Sequence, residues 1–188
     1  MRFTVAMTDL PAPPPVPGDD RDWTWVNERM CPECSFDAGS TDPTSVAVLL
    51  RENIAGWRKV LAGDDTQLRQ RPAPGTWSPL EYACHVRDVF RLYLERLTLM
   101  LTEDGPRYPD WNQDITAVEE RYDLADPSIV SAELTAAGHD LADAFAAVEG
   151  EQWNRTGFRS DGASFTVATF ATYLAHDPIH HLWDVHPT

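Results

Sequence analysis

The stretch TWSPLEYACHVRDVFRLYLERLTLMLTED, residues 76–104, decides the fold class because it opens with a complete helix start signal. Ser78 precedes Pro79, which suits the first helical position, and Glu81 lies three residues after the serine and completes a capping box. Apolar residues then recur at spacings of three and four, so we predict a long helix with one buried face. The buried face comprises Leu80, Ala83, Val89, Leu92, Tyr93, Leu97, Met100 and Leu101.

Three further segments have the same helical pattern. The first spans about residues 44–62, and Gly63 follows it as a C-terminal stop signal. The third starts after Asp126 as its cap, and the fourth spans about residues 164–185 and opens at Ser164 or Thr166. Four amphipathic helices in one domain predict an all-α four-helix bundle.

The segments between and before these helices complete the predicted organisation. Residues 105–126 form a long polar and aromatic connection that has room for a short helix. No strand-like alternation of any length is present, so we expect no sheet of three or more strands. We expect residues 1–43 to comprise a proline-rich disordered lead-in and an irregular N-terminal arm, and residues 44–188 to form the four-helix domain.

The composition excludes several classes of partner. The formal net charge is −15, with only 15 Lys and Arg, which disfavours nucleic acid and anionic membrane surfaces. No apolar run approaches the roughly 18 residues of a membrane-spanning helix. Three cysteines do not make a disulfide framework, so we expect a cytoplasmic protein.

Histidines concentrate in the segment HDPIHH near the C-terminus. His176 and His180 are four residues apart, so a helix places them on one face, with Pro178 between them. His85 lies among apolar residues of the second helix, and bundles build metal sites where facing helices converge. His181 is rotated about 100° from His180, which predicts a polar neighbour rather than a ligand. Taken alone, each histidine also fits a hydrogen-bonded residue of the core.

Two motifs resemble the DinB/YfiT-like family of four-helix metal-binding proteins, especially its actinobacterial members. WSPLEYACH is similar to the family's W-S-x-x-E-x-x-x-H helix, and HDPIH is similar to its H-x-x-x-H in the last helix. The resemblance covers roughly residues 44–186 and implies His85, His176 and His180 as ligands of one divalent ion. The ligand types suit zinc, nickel or iron. Many relatives carry Gln where this chain has Trp183 and Asp184.

Other side chains are candidates to support such a site. Ligating histidines usually donate their second N–H to a carboxylate or carbonyl, and Glu81, Asp88 and Asp184 lie one helical turn from a candidate ligand. Arg159 is a candidate for binding a substrate carboxylate, or else it neutralises a nearby acid. Trp111 is a candidate to line a pocket, or else it belongs to the core.

Cys31 and Cys34 form a CPEC motif in the N-terminal arm. A structural zinc site needs four ligands, and the second half of a paired cysteine motif is missing. Three interpretations stay open: a second zinc with ligands from elsewhere, a packed turn, or a redox dithiol. The histidine-rich C-terminal segment and Cys84 are the candidate partners of the motif. Cys84 is most simply a small core residue.

The family resemblance also implies an activity. Characterised relatives use a metal to bind a low-molecular-weight thiol such as bacillithiol or mycothiol, so we expect a metal-dependent thiol S-transferase acting on an electrophilic substrate. A divalent ion lowers the pKa of a thiol, which fits this chemistry. The alternatives are a metal-dependent hydrolase and a non-catalytic or stress-related metal-binding protein. A homodimer is one assembly compatible with such a bundle.

Overall fold

The computed structural model describes Val16 and residues 23–186, and its long helices form the predicted four-helix bundle. The predicted disordered lead-in lies outside the described residues except for Val16. Each long helix coincides with one of the four predicted segments to within about three residues, so the fold class is confirmed. The long helices are α1 (Val46–Leu61), α3 (Pro79–Thr102), α5 (Pro127–Ala146) and α6 (Val167–Val185), with short helices α2 (Asp65–Leu68) and α4 (Gln113–Glu119) between them.

Three of the long helices start at the cap residues that their sequence predicts. The Ser78 hydroxyl accepts a hydrogen bond from the Glu81 backbone N–H, and the Glu81 carboxylate accepts one from the Ser78 N–H at 2.8 Å. Asp126 caps α5, and Thr166 caps α6. Each cap satisfies backbone donors that would otherwise lack a partner at the helix start.

The core lies where α1, α3, α5 and α6 meet, and Gly138 of α5 sits at a close approach of α5 to α1 and α3. A Cβ atom at Gly138 would lie 2.7 Å from the Ile54 side chain and 2.9 Å from the Phe90 ring. Glycine therefore lets α5 approach α1 and α3 more closely than any other residue would. The largest fully buried core side chains include Trp57, Phe90, Phe145, Phe170, Leu97, Leu134 and Leu141.

A small three-stranded sheet closes one end of the bundle, and the expectation that no such sheet forms was wrong. Strand β2 (Thr156–Arg159) pairs in parallel with β1 (Arg107–Tyr108) and antiparallel with β3 (Ser164–Thr166). Strands of two to four residues are too short to show an alternating pattern in the sequence. The sheet anchors the long connection after α3 to the segment before α6.

The N-terminal arm packs against α6. It contains two short 3-10 helices, Trp23–Asn27 and Pro43–Ser45, where the sequence predicted no regular structure. Between them, the backbone N–H of Cys31 donates to the Phe36 carbonyl at 2.8 Å, and the N–H of Ser35 donates to the Cys31 carbonyl at 2.9 Å. No helix within the described part of the chain is long and apolar enough to cross a membrane.

Candidate metal centres

Helix α6 carries two pairs of candidate ligands that are offset by one residue. His176 and His180 form one pair, and Asp177 and His181 form the other. Consecutive helical residues are about 100° apart, so the two pairs face different neighbours. The helix continues through Pro178, whose carbonyl accepts a hydrogen bond from the buried Asn53 amide of α1 at 2.7 Å.

The first group, here called the inner group, joins His85 of α3 to Asp177 and His181. One ligand atom from each residue lies within 4.8 Å of the others. His85 Nε2 is 3.3 Å and His181 Nε2 is 3.8 Å from Asp177 Oδ1. Two ligands bound tetrahedrally to one ion at ~2.1 Å would lie about 3.4 Å apart. The inner group therefore has the dimensions of a metal site that needs only small adjustments.

His85 lacks the hydrogen bonds that a buried imidazole normally makes. Its side chain is fully buried, and within the described residues neither ring nitrogen has a hydrogen-bond partner. Asp177 Oδ1 is within ion-pair distance of His85 Nε2, but the two atoms are not aligned as a hydrogen bond. Burying polar atoms without partners costs about 1–3 kcal/mol each. A divalent cation bound by both His85 Nε2 and Asp177 Oδ1 would give each of these two atoms a partner.

Aromatic rings and one carboxylate hold the inner group in place. The Trp111 ring stacks on His85 with centroids 5.4 Å apart and an interplanar angle of 4°, and Trp77 lies 5.2 Å away at a tilt. The Tyr82 ring lies 4.9 Å from that of His181. His181 Nδ1 lies 2.8 Å from Asp184 Oδ2, which orients Nε2 toward Asp177.

The second group, here called the outer group, joins the N-terminal arm to the other face of α6. Ligand atoms of Cys31, Cys34, His176 and His180 all lie within 4.8 Å of one another. Cys31 Sγ is 3.6 Å from His180 Nδ1. Cys31 and both histidines are buried, and Cys34 is half-buried. The Nε2 atom of His176 has no hydrogen-bond partner among the described residues.

A cleft of about 770 Å³ opens beside both groups. Arg96 and Arg159 bring guanidinium groups to its wall. Arg159 contacts Asp161 at 2.7 Å and the Tyr173 hydroxyl at 3.3 Å. The cleft is also lined by Asp177 and His181 of the inner group, by His176 and His180 of the outer group, and by Trp23, Glu33, Trp77, Tyr82 and Trp111.

The sequence profile of the DinB superfamily matches residues 50–185. The chain belongs to the DinB superfamily. The bundle is also similar to YfiT from Bacillus subtilis, which is described as a probable metal-dependent hydrolase with an unusual four-helix bundle topology. The TM-score is 0.70 at 20% identity, over 77% of this chain and 83% of YfiT, so this likeness concerns the fold. Comparison with curated protein sequences gave no match.

Within this DinB bundle, the histidines predicted as one ligand set lie in two different groups. His85 was predicted to meet His176 and His180, whereas the structure brings it to Asp177 and His181. The physical reason is the rotation of α6, which turns the Asp177–His181 pair toward α3. His181 was predicted to be a polar neighbour, and it faces His85 instead. The D-x-x-x-H spacing of Asp177 and His181 carries the same helical signal as the histidine pair, and sequence reasoning overlooked it.

The predicted supporting carboxylates also differ in position. Glu81 binds Arg71 and completes the cap of α3. Asp88 forms ion pairs with Arg87 and accepts a hydrogen bond from the buried Tyr122 hydroxyl. Both therefore have structural partners away from the candidate ligands. Asp184, by contrast, contacts a histidine of each group, at 2.8 Å to His181 and 3.7 Å to His180.

The remaining predicted residues divide between the cleft and the core. Trp111 and Arg159 line the cleft, and Arg159 neutralises the nearby acid Asp161, while the binding of a substrate carboxylate by Arg159 stays a prediction. Cys84 is fully buried in α3 and belongs to neither group. Burial raises the pKa of the Cys84 thiol to about 12, which keeps it protonated at neutral pH.

Burial and neighbouring groups shift the pKa values of three candidate ligands on α6. Burial first, and then the nearby His180, lowers the pKa of His176 to about 4. Burial also lowers the pKa of His180. For Asp177, burial raises the pKa, but the charges of His85 and His181 outweigh it and the pKa falls below its usual value. Near neutral pH these shifts favour the neutral forms of His176 and His180 and the ionised form of Asp177, which are the forms that ligate metals.

Proposed function

We propose that His85, Asp177 and His181 hold a divalent ion and that the protein is a metal-dependent enzyme acting on a small molecule in the cleft. The observation that carries this proposal is the fully buried His85, whose ring nitrogens have no hydrogen-bond partner in the described part of the chain. Three protein ligands leave a coordination position open, as catalytic metal sites do. A divalent ion would supply a Lewis acid that lowers the pKa of a water or thiol. Zinc, nickel and iron are the candidate ions.

The residues around the inner group would fix its geometry. Asp184 accepts the Nδ1–H of His181, which leaves the Nε2 lone pair of that ring directed toward Asp177. Trp77 and Trp111 both pack against the fully buried His85 ring and help to keep water from it. Such preorganisation lets the ligands keep their positions while substrate enters and leaves.

The cleft would favour a substrate that carries a carboxylate or another small anionic group. Arg96 is buried, and its Nε atom has no hydrogen-bond partner among the described residues. Arg159 adds a second guanidinium to the same wall. Guanidinium groups bind carboxylates bidentately, so Arg96 and Arg159 would be the contacts for such a group. The same cleft is also lined by the carboxylates of Glu33, Asp110, Asp114, Asp161, Asp177 and Asp184.

For the reaction, we propose first a transfer through a low-molecular-weight thiol of the mycothiol type. The cleft volume lies in the upper part of the ~300–1,000 Å³ range of ligand pockets, which leaves room for a thiol and a second, electrophilic substrate. In this scheme Arg96 and Arg159 hold the anionic substrate while the open side of the inner group faces the sulfur. Hydrolysis is the second candidate, supported by the likeness to YfiT, a probable metal-dependent hydrolase.

The test combines metal reconstitution with a substrate screen. Apoprotein is loaded in turn with zinc, nickel and ferrous iron and assayed for thiol consumption with mycothiol or bacillithiol and a panel of electrophiles. Ester and amide substrates are assayed in parallel. We expect His85→Ala and His181→Ala to lower the activity about a hundredfold or more, because each removes a ligand of the ion. His139→Ala, an exposed position on α5, is the matched control and should not change it.

The outcomes separate the three classes of function. Thiol-dependent turnover supports the transferase, and turnover of esters or amides without thiol replaces it with the hydrolase. Metal binding at the inner group without turnover of any substrate supports the non-catalytic role and contradicts the enzyme. If His85→Ala binds as much metal as the wild type, the inner group is not the site.

A further inference from the structure

We propose that Cys31, Cys34, His176 and His180 form a second, structural zinc site that fastens the N-terminal arm to α6 beside the cleft. The spacings are C-x2-C in the arm and H-x3-H on the helix, which are those of Cys2His2 zinc sites. In this chain the rest of the domain separates the two halves, since Cys31 and His180 are 149 positions apart.

The distances within the outer group match those around a tetrahedral zinc. Zinc binds sulfur at ~2.3 Å and imidazole nitrogen at ~2.05 Å, so a sulfur and a nitrogen on one ion lie about 3.5 Å apart. The distance between Cys31 Sγ and His180 Nδ1 is 3.6 Å. The four ligand atoms all lie within 4.8 Å of one another, which leaves space for one ion.

The backbone of the arm presents both thiols on one side of a tight turn. The N–H of Ser35 donates to the Cys31 carbonyl, and the N–H of Cys31 donates to the Phe36 carbonyl. Ser35 takes the left-handed conformation, with φ of 61°, to close this turn. Burial raises the pKa of the Cys34 thiol to about 12, more than the backbone hydrogen bond from Phe36 lowers it, so an ion that binds here would displace a proton from this thiol. The turn thus prepares Cys31 and Cys34 for a shared ligand.

The two histidines are oriented for the same ion. His180 Nε2 lies 3.2 Å from Glu33 Oε2 and 3.7 Å from Asp184 Oδ1, so this nitrogen carries the proton and Nδ1 is free to ligate. A carboxylate that accepts the second N–H is a regular feature of zinc-bound histidines. His176 Nε2 is buried and has no hydrogen-bond partner among the described residues, so an ion would satisfy it.

Aromatic rings cover the outer group. The Trp23 ring lies 5.3 Å from both imidazoles, and the Phe36 ring lies 6.3 Å from that of His176. Four protein ligands under an aromatic cover leave no position for a substrate, which is the hallmark of a structural site. Because Trp23 and Glu33 also line the cleft, the zinc would hold one wall of that cleft in place.

The test uses the full chain purified from zinc-containing medium. We expect two ions per chain by elemental analysis, and one in Cys34→Ser. Cobalt should replace zinc and give a sulfur-to-cobalt charge-transfer band, which requires thiolate ligands. Cys31→Ser and Cys34→Ser should lose this band, and Glu33→Gln should lower cobalt affinity about tenfold. Cys84→Ala is the matched control and should keep the band, because Cys84 lies outside the group.

This result is independent of the proposed enzyme site. His85→Ala should lose the inner ion and keep the charge-transfer band, so failure of either site leaves the other measurable. The proposal is overturned if wild-type protein with cobalt shows no such band, or if the band persists in Cys34→Ser. Oxidation of Cys31 and Cys34 to a disulfide at the same rate with and without zinc would also overturn it.

Discussion

Each of the two groups takes a pair of residues four positions apart on α6, and the groups differ in the residues that complete them. Both groups border the cleft. The inner group is completed by His85 from the bundle and has three candidate ligands. The outer group is completed by two thiols from the arm and has four candidate ligands under aromatic rings. The number of protein ligands distinguishes catalytic from structural metal sites, so one helix can carry both kinds.

The largest expected effect is the loss of the arm when the outer ion is removed. An ion present at a thousandfold excess over its Kd stabilises the folded form by about 4 kcal/mol. A strong zinc chelator should therefore release the arm from α6 and increase the rate of tryptic cleavage after Arg29. Mass spectrometry of the fragments measures this rate. The matched variant Cys34→Ser should be cut without chelator as quickly as the wild type is cut with it. If His85→Ala is cut equally fast, the two groups are not independent and the comparison fails.

The next effect separates neighbouring residues of α6. His180→Ala should remove the outer ion and His181→Ala the inner one, each lowering affinity about a hundredfold at its own group, because an ion loses one direct bond. Elemental analysis counts the ions, and the cobalt charge-transfer band identifies the one that remains. Loss of the same ion in both variants would show that the two pairs share a single site.

A smaller effect tests whether general destabilisation imitates ion loss. Gly138→Ala should lower the free energy of unfolding by about 1 kcal/mol net. Overpacking against Ile54 and Phe90 costs about 1–3 kcal/mol, and alanine recovers about 1 kcal/mol of helix propensity. Urea unfolding measures this change in the free energy of unfolding, and the number of bound ions per chain should stay the same. Unchanged or increased stability would mean that the three helices can separate without cost.

The smallest effect concerns the turn that carries the cysteines. Ser35→Gly should stabilise the turn by about 0.5–1 kcal/mol, because glycine adopts a positive φ without steric cost. The expected result is a two- to fivefold lower Kd for the outer ion, measured by competition with a chelator. The inner ion serves as the internal control. Weaker zinc binding in this variant would show that the serine side chain has a role of its own.

Much of the fold could be predicted because its signals are local. Ser78, Pro79 and Glu81 predict the N-terminal cap of α3, and the structure forms this cap as predicted. The sheet could not be predicted, because its strands of two to four residues pair through contacts distant in sequence. Of the candidate site, the sequence pointed to His85 and to the histidine-rich segment of α6, while their grouping was not predictable from spacing.

The sequence by itself determined the four long helices, the caps of three of them and the family, and it pointed to His85 and the histidines of α6 as candidate ligands. Only the tertiary structure decided which of them meet, because an i,i+4 pair specifies a face of a helix but not the neighbour it faces. The rotation of α6 directs Asp177 and His181 to His85, and the return of the arm brings Cys31 and Cys34 to the other face. A change of one residue along α6 turns a side chain by about 100°, and packing against α1 and α3 sets that angle.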